Sequence, residues 1–512
     1  MKAVLGKRTS VLAMALVSSF AIPVFAKPIT AVVRLKERVS MDTLALNVQN
    51  PYSTHYGIPY TPEEIRQVAA PAQGEYDQTL AQLRQEGFTV VSESPTHLWV
   101  TVKAEKKAFE LAFATQVQLL GNGLRSHTAL MSIPNRFPAL AAVHGLDNTR
   151  KAFSKMKIAQ HQVVQALDSS QPGVSPDAVK EAYGLNPIYS SGITGKGQHI
   201  AIATYDDFST DDVNQFYGKL NLQPGPTVDK VTFNGVAATN NNSAMETELD
   251  AEFSGMIAPG ASIHVFTSAE NSDAGELAMF TAILDDNRAK VVNYSWGACE
   301  KQLTPAHQAE MAKVFTRAVA QGVNIVIASG DSGSDSCQDG SVVADWPAAN
   351  PNVIAVGGTT FSQNHGSIAE SGWNGSGGGI SGVWELPLWQ QALGAPFTKR
   401  SYPDVSFNAD PSSGQALWSS GSWTVIGGTS MAAPQWSGFL ALVGEARQTA
   451  GKQTLGFLAP IIYSFNASDK TTLFHDVTSG SNGAYTAAPG WDAVTGWGSM
   501  NGSPLLNRLL SN

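Results

Sequence analysis

Three short stretches hold residue types and spacings that could do nucleophilic chemistry. The first is Gly427-Gly428-Thr429-Ser430-Met431-Ala432-Ala433-Pro434, a glycine turn between an apolar run, Ser422 to Ile426, and a small-residue helical pattern reaching Ala446. A serine at a helix start meets unpaired backbone N–H groups and the positive end of the helix. That setting suits a nucleophile whose product carries an oxyanion, and it is also where ordinary serines cap helices. Gly427 and Gly428 before it, with Ala432, Ala433 and Gly438 after it, allow a close backbone approach that a cap does not need. The second stretch places Glu246, Glu248, Asp250 and Glu252 on one helical pattern with an apolar stripe of Met245, Leu249, Phe253 and Met256. Glu246 and Asp250 share one flank, Glu248 and Glu252 the other, and like charges four residues apart repel. Either the acids form a solvated face, or one pair is buried and its two carboxylates share a proton. The third is Ser329-Gly330-Asp331-Ser332-Gly333 after an apolar run, where Asp331 either fixes an Asx-turn or faces a site at a strand end.

These residues need a scaffold that brings them together. From His199 onward, apolar runs at 200–204, 263–267, 291–295, 323–328 and 353–356 read as buried parallel strands. Helical patterns at 210–220, 245–257, 274–286 and 305–320 separate them. The expectation is a doubly wound α/β sheet with its sites at the carboxyl ends of the strands. Residues 27–160 read instead as a small α+β unit: a strand at 29–35, helices opening at Thr61-Pro62 and covering 76–86 and 106–114, and strands near 88–92 and 97–102. The polar tract Ala166 to Gly173 reads as an exposed linker.

The 512 residues allow more than one domain. Lys2, Lys7 and Arg8, an apolar run from Val11 to Ala21, and Val24-Phe25-Ala26 have the order of an export signal with its cleavage site. Two cysteines, Cys299 and Cys337, suit a disulfide in an oxidising compartment and make a poor zinc site without clustered histidines. Residues 27–170 carry 15 Lys+Arg against 12 Asp+Glu, whereas residues 171–512 carry 15 against 30. A surface so poor in bases tolerates acid, because little positive charge remains once the carboxylates protonate. It also argues against a nucleic-acid partner.

The stretch Gly428-Thr429-Ser430-Met431-Ala432-Ala433-Pro434 is similar to the nucleophile signature of the subtilisin-like clan. The clan's other two motifs are missing. Thr204-Tyr205-Asp206-Asp207 stands where an Asp-Thr/Ser-Gly is expected, and no histidine lies in a His-Gly-Thr-His helix start. Glu246-Thr247-Glu248-Leu249-Asp250, Ser329-Gly330-Asp331-Ser332-Gly333 and Gly428-Thr429-Ser430, in that order, resemble the sedolisin family, the serine-carboxyl peptidases.

The resemblance implies a subtilisin-like sheet preceded by a ferredoxin-like prodomain, with residues 1–26 a signal peptide, 27–170 an activation propeptide and 171–512 the peptidase. It makes Ser430 the nucleophile, Glu246 the general base, Asp250 the partner that shares its proton, and Asp331 the donor to the oxyanion. Asp331 can donate only when protonated, so the implied chemistry is acidic. Ser295, Trp296 and Gly297 resemble the strand edge that binds substrate, although Trp296 could equally be core. One Ca²⁺ is implied at Asp476 and Asp492 with the carbonyls of Val477, Ala488 and Gly490, a set of oxygen ligands that suits calcium. Ala488 departs from the glycine usual there, and His475 reads as a packed residue.

The expected protein is thus a secreted or periplasmic, monomeric acid endopeptidase acting on proteins or peptides, without nucleic-acid or membrane partners. Its slightly basic propeptide is expected to dock on the acidic peptidase, to loosen in acid or in part with salt, and to be cut near residues 160–173. Two other readings stay open: a neutral hydrolase with a histidine base such as His264, and an inactive binding protein on the same scaffold.

Overall fold

The computed structural model describes residues 27–127, 131–159, 172–235, 244–364, 367–394 and 397–511. The expected signal at 1–26, the 170/171 boundary and all but the end of the 166–173 linker lie outside the described residues.

Alternating apolar residues build the N-terminal unit. Ile29–Leu35 pairs antiparallel with Trp99–Ala104 on one side and Leu140–His144 on the other, and Thr89–Glu93 completes a four-stranded sheet. Successive strand residues face opposite sides. Ala31, Val33, Leu35, Val100 and Val102 therefore share a core with Leu80, Leu83, Phe109 and Phe113 from the helices Gln73–Gln85 and Lys106–Phe113. Val32 and Trp99, on the opposite face, join the core of the second unit. Pro62–Ala69 opens on a capping box between Thr61 and Glu64. The helix Met41–Gln49, absent from the sequence reading, packs on the helix Pro305–Ala320 of the second unit.

The second unit is a parallel sheet in which Ser262–Thr267, His199–Thr204, Val291–Tyr294, Asn324–Ala328 and Ile354–Asn364 lie side by side. Thr227–Val231 extends one edge and Val405–Asn408 the other; neither has an apolar run strong enough to stand out in the sequence. Helices Thr210–Lys219, Ala244–Ile257, Asp273–Asp286 and Pro305–Ala320 fall where the patterns predict. The apolar run at Ser422 to Ile426 reads from its sequence as a buried strand, but Ser422–Gly427 is one only in part. It pairs antiparallel with Gln415–Ser419 in a separate ribbon, exposed at its start and buried only from Val425.

Two helices carry the candidate chemistry through the core. Ala244–Ile257 packs along Thr429–Thr449, and every residue from Glu246 to Ile257 is buried. The acids therefore do not form a solvated face. Cys299 and Cys337 are joined as a disulfide with a Cα–Cα distance of 4.9 Å.

Candidate active site

Gly428, at φ +97°, is the residue that caps the Thr429–Thr449 helix, a conformation that favours glycine. Ser430 is thus the second residue inside the helix, with its N–H free to point outward. That N–H donates to the carbonyl of Lys155 in the N-terminal unit at 3.0 Å. The Ser430 hydroxyl lies 3.3 Å from the Ser295 carbonyl and also reaches the carboxyl of Glu246.

Glu246 and Asp250 stand one turn apart and are both fully buried. The Ser154 hydroxyl, another residue of the N-terminal unit, donates to Glu246, and the Ser295 hydroxyl donates to Asp250 at 2.6 Å. Each carboxyl keeps one buried oxygen, Glu246 Oε1 and Asp250 Oδ2, that lies outside hydrogen-bond geometry with the described residues. Burial pushes both groups above the ordinary carboxyl range, and the charge of Glu246 pushes Asp250 further. Two such carboxyls retain a proton between them because ionising both would place like charges together in a dry core.

Asp331 follows the Asn324–Ala328 strand. Its Oδ1 accepts from the N–H and hydroxyl of Thr429 at 2.7 and 2.8 Å, while its buried Oδ2 has no hydrogen-bond partner among the described residues. A Cβ placed on Gly428 would lie 2.5 Å from that Oδ2 and 2.3 Å from the Lys155 carbonyl oxygen, so both oxygens crowd the same spot. Burial raises Asp331 to about 6, against the pull of the Thr429 hydrogen bonds. In its protonated form the carboxyl can donate to a carbonyl oxygen seated on the Ser430 N–H.

Such a carbonyl is present because residues 150–159 thread the cleft. Ser154 pairs opposite Trp296 and Phe153 opposite Gly297, antiparallel, and the Lys155 N–H donates to the Ser295 carbonyl at 3.1 Å. Beyond Ser430, Lys157–Ile158 pairs with Ile426–Gly427, and the Ala159 N–H donates to Val425 at 3.0 Å. The Trp296 side chain stays in the core, edge-on to Tyr205 with its indole N–H on Thr204, so only its backbone serves the cleft. Gly297 leaves room for the Lys155 side chain; a Cβ there would meet Lys155 Nζ at 2.3 Å. Buried Lys155 Nζ donates to the Ala328 carbonyl at 2.6 Å and to the carboxylate of Asp345. Asp345 also accepts from the Ser336 hydroxyl at 2.9 Å, and burial outweighs the lysine to raise it to about 6. A cavity of about 250 Å³ beside the lysine is lined by Gly297, Cys299, Asp331, Cys337 and Asp345.

Ser295 was expected at the substrate-binding strand edge and not as the donor to Asp250, whereas Ser154, Lys155 and Asp345 were not legible as site residues at all. Each is a single polar residue in no motif, brought in by tertiary packing alone. His264 is elsewhere: its Nε2 lies 2.9 Å from His199 Nδ1 and its Nδ1 lies 2.5 Å from Asp229. Among the described residues no histidine hydrogen-bonds Ser430 or Glu246.

At the C-terminal loop, Asp476 accepts from the Gly490 N–H at 2.9 Å and Asp492 from the Ala488 N–H at 3.1 Å. Both carboxylates therefore converge on one turn. Ala488 is not among the residues at positive φ, whereas Gly490 sits at φ +85°, so an alanine is accommodated. Two carboxylates at one turn offer oxygen ligands of the kind a hard cation takes, while Asp492 itself accepts from the N–H groups of Ala488, Val494 and Thr495 and from the Thr495 hydroxyl. His475 packs at the neighbouring strand, its Nδ1 3.3 Å from the Ser499 hydroxyl.

Residues 233–498 match the Subtilase family, and residues 26–149 match the family described as Pro-kumamolisin, activation domain. Kumamolisin of Bacillus sp. (strain MN-32) is 37% identical, over 75% of this chain and 73% of its own. Sedolisin of Pseudomonas sp. (strain 101) is 30% identical, over 94% of this chain and 86% of its own. Tripeptidyl-peptidase 1 of Mus musculus is 28% identical over 93% and 90%. The solved structure of Pseudomonas sedolisin, a serine-carboxyl proteinase complexed with two molecules of pseudo-iodotyrostatin, matches with TM-score 0.61 and 32% identity over 66% of this chain and 98% of that one. With likeness running through both units and the acids and serine of the three motifs meeting in one cleft, the chain belongs to the sedolisin family of serine-carboxyl peptidases and carries a pro-kumamolisin-type activation domain.

Proposed function

We propose that this peptidase is an exported, acid-acting endopeptidase that frees itself from its propeptide by cutting Lys155–Met156. Ser430 attacks the carbonyl carbon of the residue seated where Lys155 lies, and Glu246 takes the hydroxyl proton. Asp250 keeps the proton shared by the pair and holds Glu246 in position. The negative oxygen of the tetrahedral intermediate accepts from the Ser430 N–H and from protonated Asp331. Glu246 then passes its proton to the leaving amine, and water repeats the sequence to release the acyl group. Acid serves this chemistry because Asp331 must hold its proton.

One observation carries the reading: the Lys155 carbonyl rests on the Ser430 N–H while the chain continues through the cleft in both directions. A cleft that admits a chain from Arg150 to Ala159 favours internal bonds over the tripeptidyl-peptidase activity that some relatives carry in their names. The Asp345 and Ala328 contacts favour lysine on the acyl side. The bond at Ser430 precedes the expected 160–173 region, so cuts there are later trimming. Residues 1–26 supply the export signal. Ca²⁺ would be held by Asp476, Asp492 and the carbonyls of Val477, Ala488 and Gly490, and would tie the C-terminal loop together.

The test is to purify the zymogen at neutral pH, acidify it to about pH 4, and read the fragments by mass spectrometry. The first new N-terminus is expected at Met156, with no cleavage in Ser430→Ala. An earliest cut elsewhere, processing that survives Ser430→Ala, or faster turnover in alkaline buffer would each overturn the proposal. For calcium, a chelator is expected to lower the melting temperature of the wild type and to leave Asp476→Ala/Asp492→Ala unmoved; identical melting with and without chelator in the wild type removes the ion.

A further inference from the structure

The propeptide reaches a second buried site before it arrives at Ser430, one that bond cleavage does not use. Arg150 lies five residues ahead of Lys155, and its side chain is only 7% exposed. Its guanidinium donates to the carboxylate of Asp273 and, at 2.7 Å, to Glu276, with His307 Nε2 3.4 Å away. The peptidase unit builds this site from its own residues. Glu276, fully buried, receives the Tyr294 hydroxyl at 3.0 Å and the Trp346 indole N–H at 3.4 Å, and pairs with the His307 ring at 2.7 Å. Asp273 and Glu276 both lie in the first turn of the Asp273–Asp286 helix, which Ser272 caps.

Between this site and Ser430 the backbone register is fixed. The Asn271 side-chain amide accepts from the Ala152 N–H and donates to the Ala152 carbonyl, both at 2.8 Å. An amide that bonds a peptide unit both ways copies strand pairing and does not depend on the side chain it holds. Whatever chain lies in the cleft in this register therefore carries its residue five places before the cleaved carbonyl into the Asp273–Glu276 pocket.

Removing the propeptide takes away the guanidinium and leaves Glu276 held by hydroxyl, indole and imidazole groups. A buried carboxylate without its cation is costly, and a pocket held open by its own hydrogen bonds pays little to rebind one. We infer that Asp273, Glu276 and His307 form an arginine subsite of the mature enzyme, which selects peptides with arginine five residues before the lysine at the cleaved bond. The planar guanidinium spans two carboxylates at once, whereas an ammonium is a point charge. The same contact makes the cut propeptide, ending at Lys155, a product-like inhibitor anchored at both basic residues. This inference rests on the reading of Lys155–Met156 as the cleaved bond.

The experiment uses mature enzyme obtained by self-processing of the full chain. Three peptides of sequence 148–159 are compared, with arginine, citrulline or alanine at the Arg150 position; citrulline keeps the shape and loses the charge. The arginine peptide is expected to show kcat/KM about tenfold or more above the other two. In Asp273→Asn, and separately in Glu276→Gln, the three peptides should become alike. A peptide starting at Ala152 should be cut equally by all three enzymes, which shows that the variants are folded and active. A wild-type ratio under twofold, or a ratio kept in both variants, overturns the subsite. If none of the peptides is cut at the Lys–Met bond, the cleavage reading fails, and the subsite is decided by calorimetry with the product peptide 148–155. Equal affinity of its arginine and citrulline forms would then remove it.

Discussion

At the scale of single residues, the proposed reaction turns on the proton of Asp331. Thr429 occupies one oxygen of this carboxyl with two donors, and the other oxygen meets the seated carbonyl only as a donor. With Asp331 raised to about 6 by burial, kcat/KM of the mature wild type is expected to fall as pH rises through that region. Asparagine in its place donates at every pH, so Asp331→Asn should lose this alkaline limb while Ser430→Ala loses activity throughout. A limb that persists unchanged in Asp331→Asn would assign it to another group. Ser154 adds a restraint specific to the zymogen, because its hydroxyl sits on the carboxyl that accepts the Ser430 proton in the proposed reaction. The motif residues were legible because each motif is local. Ser154, Lys155 and Asp345 were not, since no spacing in the chain relates them to Ser430.

Two packed helices keep the proposed base and nucleophile in register. Ala244–Ile257 brings Glu246 and Asp250, and Thr429–Thr449 brings Ser430. They approach closely at Gly438, where an added Cβ would lie 2.7 Å from both the Ile257 Cβ and the Ser254 carbonyl oxygen. Gly438→Ala gains about 1 kcal/mol of helix propensity, but overpacking of this kind typically costs about 1–3 kcal/mol. The variant is expected to melt lower than the parent and to lose kcat more than KM, because the helices part at the site. An unchanged melting temperature and kcat would show that the contact yields without cost. The sequence marked Gly438 as a place of close approach, whereas the burial of Glu248 and Glu252 was not readable, because helical spacing does not reveal how many neighbours surround a helix.

For the molecule as a whole, buried carboxyls decide how stability responds to pH. Burial raises Glu246, Glu248, Asp250, Glu252, Glu300, Asp331 and Asp345 above ordinary carboxyls. Between about pH 4 and 8 the native state therefore binds protons that an unfolded chain has released, and stability falls as pH rises. Glu276 and Glu310 act in the opposite sense. Burial raises them, but Arg150 and His307 in one case and His144 and Arg34 in the other hold them below ordinary carboxyls, so their contribution is lost only in stronger acid. The uncut Ser430→Ala protein is expected to melt several degrees lower at pH 8 than at pH 5. A melting temperature that rises over that interval would contradict the balance. The contacts between propeptide and peptidase also revise an expectation. Arg34–Glu310, Arg150–Glu276 and Lys155–Asp345 are largely buried, and buried pairs are poorly screened. High salt at neutral pH is thus not expected to imitate acid in releasing the propeptide.

The sequence by itself determined the two-unit organisation, most of the parallel strands and helices, and the three motifs that hold Glu246, Asp250, Asp331 and Ser430. Each is written in short-range patterns: apolar periodicity, capping residues, a glycine turn. Only the tertiary structure decided which acids lose their water, which strand leaves the main sheet for a ribbon beside the cleft, and which peptide bond lies on the nucleophile. Those outcomes depend on segments far apart in the chain meeting in a space without solvent, where hydration lost by one group has to be replaced by a partner that no local spacing specifies.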